Sequence, residues 1–310
     1  MGIIHFAGLG KSPGAVTAGL SYLKNEFGDH PDYGKIVEGV VIFTSQEIVS
    51  GDEEAYQSVD NEYMTRSVRK TWTKGLKNSL EIVRKFLHRE FEGGDFYLCI
   101  VDVNDFEECF ETIAKALLRF HPRGEVGKHI WANLTGGTNV LNAALMQVAY
   151  LSGLIPVMYY TFVAKREDSK YLNPFSRNED EFYFRKIDMF KTTFDERFLY
   201  ILEKLEEAGD FISSEEILSR LKKDYPNLFG GFNLTMFRRD YLNIMDGWCI
   251  ERRKKEDLNR LSKNGKNLLK RIRSPLVSAL IGREYSEKVD ELTKDLECEK
   301  NLGERENDRI

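Results

Sequence analysis

Short apolar runs alternate with segments of helical spacing through the first 190 residues, and nothing else in the chain constrains its fold as tightly. Such alternation builds βαβ units around a mainly parallel sheet. The runs at 3–7, 40–44, 96–101, 129–134 and 155–162 are rich in β-branched and aromatic residues. Most are apolar at consecutive positions, as strands covered by helices on both faces must be. Helices are expected over 15–26, 66–90, 106–120 and 139–151, the last with Leu141, Ala144, Leu145 and Val148 on one face. Residues 165–180 turn polar and 181–187 alternate again, which predicts a hairpin appended to the sheet.

From about residue 192 the pattern changes to helices, with strands returning only near residue 248. The first helix, 194–208, carries Phe198, Ile201, Leu202 and Leu205 on its apolar side and stops at Gly209. Ser213 or Ser214 caps a second, which ends at Tyr225-Pro226. A third spans 234–245. Strands near 248–250 and 258–261 flank a charged turn, and helix resumes at 265–272. This order predicts a winged helix-turn-helix domain over 191–275, followed by a helical tail at 276–310.

A length of 310 residues fits more than one domain, since single cores stop growing near ~250–300 residues. Hydrophobic residues at 42% and charged residues at 31% exclude a disordered or collagen-like chain. The longest apolar run, 151–164, is interrupted by Ser152, Gly153 and Pro156 and is shorter than the ~20 residues a membrane helix needs. No basic, cleavable leader is read at the N-terminus, and Cys99, Cys109, Cys249 and Cys298 form no CxxC pair. A reduced cytoplasmic protein without metal or cofactor is the expectation. Although the net charge is −5, ten Lys or Arg residues crowd 252–273 against only Glu256 and Asp257. Such a stretch suits an anionic partner or a merely solvated face.

In an open α/β sheet ligands bind beyond the carboxyl ends of the strands. Gly8-Leu9-Gly10-Lys11-Ser12-Pro13 follows the first strand. It is not a Walker A loop, because His5 stands where its first glycine belongs, nor a dinucleotide fingerprint, because Pro13 stands where its third belongs. What remains is a glycine turn with Lys11 and Ser12 at a helix N-terminus, suited to an anion or to capping. Asn133-Leu134-Thr135-Gly136-Gly137-Thr138-Asn139 likewise joins an apolar strand to an apolar helix. Its paired glycines allow close backbone approach to a ligand and its threonines supply hydroxyls. Thr44-Ser45 and Asp102-Val103-Asn104 lie at the ends of two further strands.

The Asn-Leu-Thr-Gly-Gly-Thr element and the Lys-Ser loop together resemble the CARF domains of type III CRISPR systems, which have a Rossmann-like fold. The following winged helix matches one architecture of that family. The resemblance implies a homodimer that binds cyclic oligoadenylate, most often cyclic tetra-adenylate, across its two-fold axis. It implies ligand contacts from Gly8, Gly10, Lys11, Thr44, Ser45, Asn133, Thr135, Gly136, Gly137, Thr138, Asn139 and Arg166. Many relatives carry Lys after Thr-Gly-Gly-Thr where this chain has Asn139, so Lys11 or Lys165 is expected to supply that charge.

No histidine follows His129, and no [DE]-x-K triplet occurs from 195 onward. The C-terminal half therefore lacks the groups that a HEPN-type ribonuclease or a restriction-like nuclease needs. Two functions remain. One, implied by the resemblance of the Lys-Ser loop and of Lys165 past the fifth strand to such enzymes, is a metal-independent ring nuclease with Ser12 and Lys165 as catalytic residues, forming a 2′,3′-cyclic phosphate by attack of the ribose 2′-hydroxyl. The other is a ligand-responsive regulator gripping DNA through Arg238, Arg239, Arg252, Arg253, Lys254 and Lys255.

Overall fold

The computed structural model describes residues 2–30, 34–52, 78–91, 94–121, 128–163, 182–188, 195–282 and 289–300. The chain divides into two compact units, Met1–Thr192 with Ala279–Ile310, and Thr193–Ser278.

The first unit is built on β1 (Gly2–Gly8), every residue of which is buried. Helix α1 (Gly14–Phe27) follows, then β2 (Asp29–His30), β3 (Gly34–Thr44) and the short α2 (Gln46–Ser50). Helix α3 (Ser79–Glu90), β4 (Asp95–Ile100), α4 (Phe106–Phe120), β5 (Lys128–Asn133), α5 (Asn139–Ser152), β6 (Val157–Val163) and β7 (Phe182–Asp188) complete the alternation. The N-terminal part of the helix expected over 66–90 lies outside the described residues.

Five strands run parallel in the order β4-β3-β1-β5-β6. The chain thus winds outward from β1 through β3 to β4, then returns to the other side of β1 for β5 and β6. Neighbouring β1 and β5 send their following loops toward opposite faces, and the sheet's topological switch point lies between them. β7 runs antiparallel along β6 from Val163↔Phe182 to Val157↔Asp188, as a hairpin arm must. The side chains in the middle of the sheet are those of a dry core, with Ile3, Phe6, Ile42 and Phe43 all fully covered. Helix α1 buries small residues, Ala15, Ala18 and Gly19, and so lies close to the strands. A Cβ on Gly19 would stand 2.8 Å from the Tyr159 ring.

The tail expected to be helical is only partly so. After a short helix, Val289–Thr293, the chain forms β11 (Cys298–Lys300), antiparallel to β4 on the outer edge of the sheet. The three residues paired there cover part of an edge that would otherwise expose unpaired backbone groups.

In the second unit, α6 (Glu196–Ala208) is capped by Asp195 and stopped by Gly209 in a left-handed conformation, φ +73°. β8 (Ile212–Ser213) leads into α7 (Ser214–Asp224), which Ser213 caps by accepting from the Glu216 amide. The turn Pro226–Phe229 precedes α8, which starts at Leu234–Phe237, passes through a π-turn at Arg238–Leu242 and ends at Asn243–Met245. β9 (Ile250–Arg253), β10 (Leu258–Leu261) and α9 (Lys263–Ile272) follow. The expected two-stranded hairpin is a three-stranded antiparallel sheet, β8-β10-β9. The third strand arises because Leu258 and Asn259 pair with Ser213 and Ile212, and the buried Asn259 amide donates to the Ile212 carbonyl at 3.4 Å and to Ser214 Oγ at 3.0 Å.

Candidate functional site

The loops that leave β1 and β5 meet at the switch point. A Cβ on Gly8 would stand 2.8 Å from Gly137 Cα and 3.0 Å from the Gly136 carbonyl oxygen. One on Gly136 would overlap the Gly8 carbonyl oxygen. Gly137 also has φ +78°, which side-chain-bearing residues seldom adopt. These three glycines are therefore required by loop-on-loop packing, before any ligand is considered. A bulky side chain at Gly136 or Gly137 would therefore disturb the fold as well as any ligand contact. Gly10 is different: nothing lies within 4 Å of the Cβ it lacks.

Polar side chains fasten the two loops to the sheet. Thr44, fully buried, donates from Oγ1 to the Leu9 carbonyl at 2.7 Å, while the Leu9 amide donates to the Phe43 carbonyl at 2.9 Å. Asn133, also fully buried, donates from Nδ2 to the Ala15 carbonyl at 3.0 Å and accepts the Thr135 amide at 2.9 Å. Thr135 Oγ1 accepts the Thr161 amide at 2.9 Å and pairs with Thr161 Oγ1 at 3.0 Å. Thr138 caps α5 by accepting the Leu141 amide and donates to the Val103 carbonyl at 2.6 Å. Thr44, Asn133, Thr135 and Thr138 thus spend their polar atoms on loop geometry.

On the same two loops Gly10, Lys11, Ser12, Gly137 and Asn139 are partly or fully exposed. Ser12 is not the cap of α1: Pro13 occupies that position, and no side chain caps the helix there. Thr17 Oγ1 returns to the Pro13 carbonyl at 3.3 Å instead. The β1–α1 loop and the start of α5 therefore bring glycine backbone, Lys11, Ser12 and Asn139 onto two adjoining loops, residue types suited to a phosphodiester.

The neighbouring strand ends have the opposite character. The Ser45 hydroxyl donates to Glu47, holding that carboxyl below its usual range with help from its own backbone amide. Asp102 Oδ1 accepts the Asn104 amide at 2.9 Å in a local turn, and Glu108 Oε1 accepts the Asp102 amide at 2.9 Å. Carboxylates on this side make the β1 and β5 loops the better place for an anion. Among the described residues no group of three His, Cys, Asp or Glu is arranged to hold a metal ion. Lys165 and Arg166 lie outside the described residues.

Sequence reading missed the support beneath the site. His5 is fully buried in β1, with Nε2 2.8 Å from the Ile36 carbonyl and Nδ1 3.0 Å from the Tyr159 hydroxyl. The carbonyl accepts only from an N–H, so Nε2 carries the proton and Nδ1 accepts from Tyr159. Burial pulls the His5 pKa down to about 4, against the smaller opposing effect of the Ile36 carbonyl. Burial likewise raises Tyr159, opposed by a hydrogen bond with Asn133. A polar chain thus runs from mid-sheet to the Asn133 loop. Its signal was a lone histidine inside an otherwise apolar strand.

The basic residues of the second unit are partly redirected. Arg238 forms a two-pronged ion pair with Asp257, one arm through Nε at 3.1 Å. Arg252, whose side chain is only 5% exposed, donates to Asn259 Oδ1 at 2.8 Å and Asn243 Oδ1 at 2.5 Å and lies 3.7 Å from Asp257. Both were expected on a DNA-gripping surface; Arg252 is buried in its own domain, while Arg238, still partly exposed, is paired with a carboxylate. Arg239 pairs with the adjacent Asp240, Arg253 stacks over Phe211 at 4.1 Å, and Lys254 reaches Asp246 at 3.0 Å. Arg239, Arg253, Lys254 and Lys255 remain exposed.

No family model matches the sequence. A protein of Archaeoglobus fulgidus, described as "Uncharacterized protein", is 27% identical over 276 residues, covering 79% of this chain and 77% of its own length. Among solved structures, Enterococcus italicus Csm6 bound to cyclic hexa-2′-fluoro-hexa-dAMP aligns with a TM-score of 0.33 and 14% identity, over 79% of this chain. Protein VC1899 from Vibrio cholerae aligns with a TM-score of 0.32 and 10% identity, over 94% of this chain. The chain spans 54% of the length of the first and 66% of the second. At the switch point of a doubly wound sheet, then, the chain carries two interlocked glycine loops.

Proposed function

We propose that the first unit is a CARF-type domain that binds a cyclic oligoadenylate as a homodimer and cleaves it without metal. The observation that carries this reading is the joining of the Gly8–Ser12 and Asn133–Asn139 loops at the switch point. Gly10, Lys11, Ser12 and Asn139 lie on these two loops, all at least partly exposed, and are residue types that suit a phosphodiester. A cyclic ligand of repeated units matches the same loops from two subunits related by a two-fold axis.

The chemistry asks for positioning more than for acid-base groups. The ribose 2′-oxygen attacks phosphorus, the 5′-oxygen leaves, and the product is linear with a 2′,3′-cyclic phosphate. Ser12 orients the phosphate or the ribose, and Lys165 neutralises charge on the phosphorane. Incubating the purified chain with labelled cyclic tetra-adenylate in EDTA and resolving the products tests this. A linear 2′,3′-cyclic phosphate is expected; a ring that binds but stays intact overturns cleavage, and no binding overturns the whole reading.

A second reading makes the Thr193–Ser278 unit a winged helix through which ligand binding regulates contact with DNA. Exposed Arg253, Lys254 and Lys255 on the β9–β10 turn favour it. The internal pairing of Arg238 and Arg252 weighs against it, so cleavage is the preferred function.

A further inference from the structure

At the outer edge of the first sheet, two cysteines far apart in sequence are direct partners. Cys298 in β11 faces Cys99 in β4 in an antiparallel register. Directly opposed residues in such a ladder have Cα atoms about 4.5–5.5 Å apart, inside the ~4.4–6.8 Å span of a disulfide. Both are free thiols, and they hydrogen-bond to each other. Cys99 is fully buried, whereas Cys298 is partly exposed.

We propose that Cys99 and Cys298 form a reversible disulfide that locks β11 onto β4, with a small-molecule disulfide as the oxidant. Cys298 is the point of entry because it is the accessible sulfur. It is also the more acidic of the two: the Cys99 thiol donates to it and the Arg119 charge favours its thiolate, together outweighing its burial. Arg119 is held nearby by donating to the Leu296 carbonyl at 3.4 Å. In the first step the Cys298 thiolate attacks the small disulfide, forming a mixed disulfide and releasing one small thiolate. In the second, Cys99 loses its proton and attacks the Cys298 sulfur, releasing the second thiolate. The two protein thiols give up two electrons, and the small disulfide accepts them as two thiols.

Neither remaining cysteine is placed for this. Cys109 is buried and donates to the Asp102 carbonyl at 3.3 Å, and Cys249 is buried in the second unit. The lock matters because β11 pairs over only three residues, backed by the Lys115–Asp295 ion pair at 2.9 Å and the buried Leu296. An edge strand this short is released readily unless tied down.

The test is treatment of the full-length chain with oxidised glutathione, followed by peptide mapping without reduction and by limited proteolysis. The expected result is a Cys99–Cys298 linked peptide, reversed by dithiothreitol, and at least several-fold slower cleavage of the segment after residue 282 in the oxidised form. Cys109→Ser with Cys249→Ser should keep both effects; Cys298→Ser should abolish both and leave Cys99 unmodified. A glutathione adduct that persists on Cys298 without the linked peptide would overturn the proposal. So would a linked peptide with unchanged proteolysis, since the strand would then not be locked.

Discussion

The Gly8 carbonyl oxygen occupies the space into which a side chain on Gly136 would project. Two loops separated by more than a hundred residues thereby become one structural unit. A methyl at Gly136 must push backbone, which does not yield as a flexible side chain does. Gly136→Ala should destabilise the first unit by about 1–3 kcal/mol, the usual cost of overpacking, with Gly136→Val worse. Gly10→Ala meets open space and should leave thermal unfolding within about 0.5 kcal/mol of wild type. If the β1 and β5 loops form the ligand site, Gly10→Val should weaken cyclic tetra-adenylate binding in calorimetry while the melting profile stays put. Wild-type affinity in that folded variant would place the ligand elsewhere.

His5 makes the stability of the first unit depend on pH. Its folded pKa is depressed to about 4 from 6.5, chiefly by burial. Between those values the unfolded chain binds a proton that the folded chain refuses. Stability from this group is therefore complete above about pH 6.5 and is lost as pH falls toward 4, amounting to roughly 3 kcal/mol. Urea titrations at pH 7 and pH 4.5 should differ by most of that amount through this residue. His5→Gln, which can still donate to Ile36, should be less stable at pH 7 but should flatten the dependence. An unchanged slope would assign the acid sensitivity to other groups.

How far the sequence reveals this arrangement depends on how local each feature is. The strands, the helix cap at Ser213 and the stop at Gly209 are readable because their chemistry lies within a few residues. The adjacency of β1 and β5 is not local, so the reason for three glycines emerges only when the sheet order is known. The same holds for β11, whose three residues carry too short a pattern to read, and for Arg252, whose neighbours Asn243 and Asn259 come from separate elements. A run of basic residues reads as a surface in one dimension, while folding turned one member inward.

Asp257 is the pivot of that inward turn. It sits at φ +54°, accepts Ser214 Oγ at 2.7 Å and faces both Arg238 and Arg252. Burial pushes its carboxyl up, but Arg238 and Ser214 outweigh this and hold it below the usual range. Asp257→Gly relieves the left-handed backbone yet removes the carboxylate. It should still lower stability of the second unit by about 1–2 kcal/mol, discounted because the pair is about one-third exposed. It should also free Arg238, so any weak affinity for DNA should rise and become steeper in salt. A neutral or stabilising effect in denaturant titration would show that backbone strain outweighs the ion pairs.

Catalysis separates the two readings of the first unit most cleanly. A charge acting mainly on the developing phosphorane is worth more in the transition state than in the bound ring, so Lys165→Ala should lower the single-turnover cleavage rate more than affinity. Loss of one preorganised donor of this kind costs about 10²- to 10³-fold in rate. Ser12→Ala should slow cleavage by less if the hydroxyl only orients the ribose, and it should not change unfolding, because Ser12 does not cap α1. EDTA should leave the rate unchanged. Equal losses in rate and affinity for Lys165→Ala would make that lysine a binding group alone. A ring left intact by excess wild-type protein, with affinity for DNA that changes on ligand binding, would move the function from cleavage to regulation.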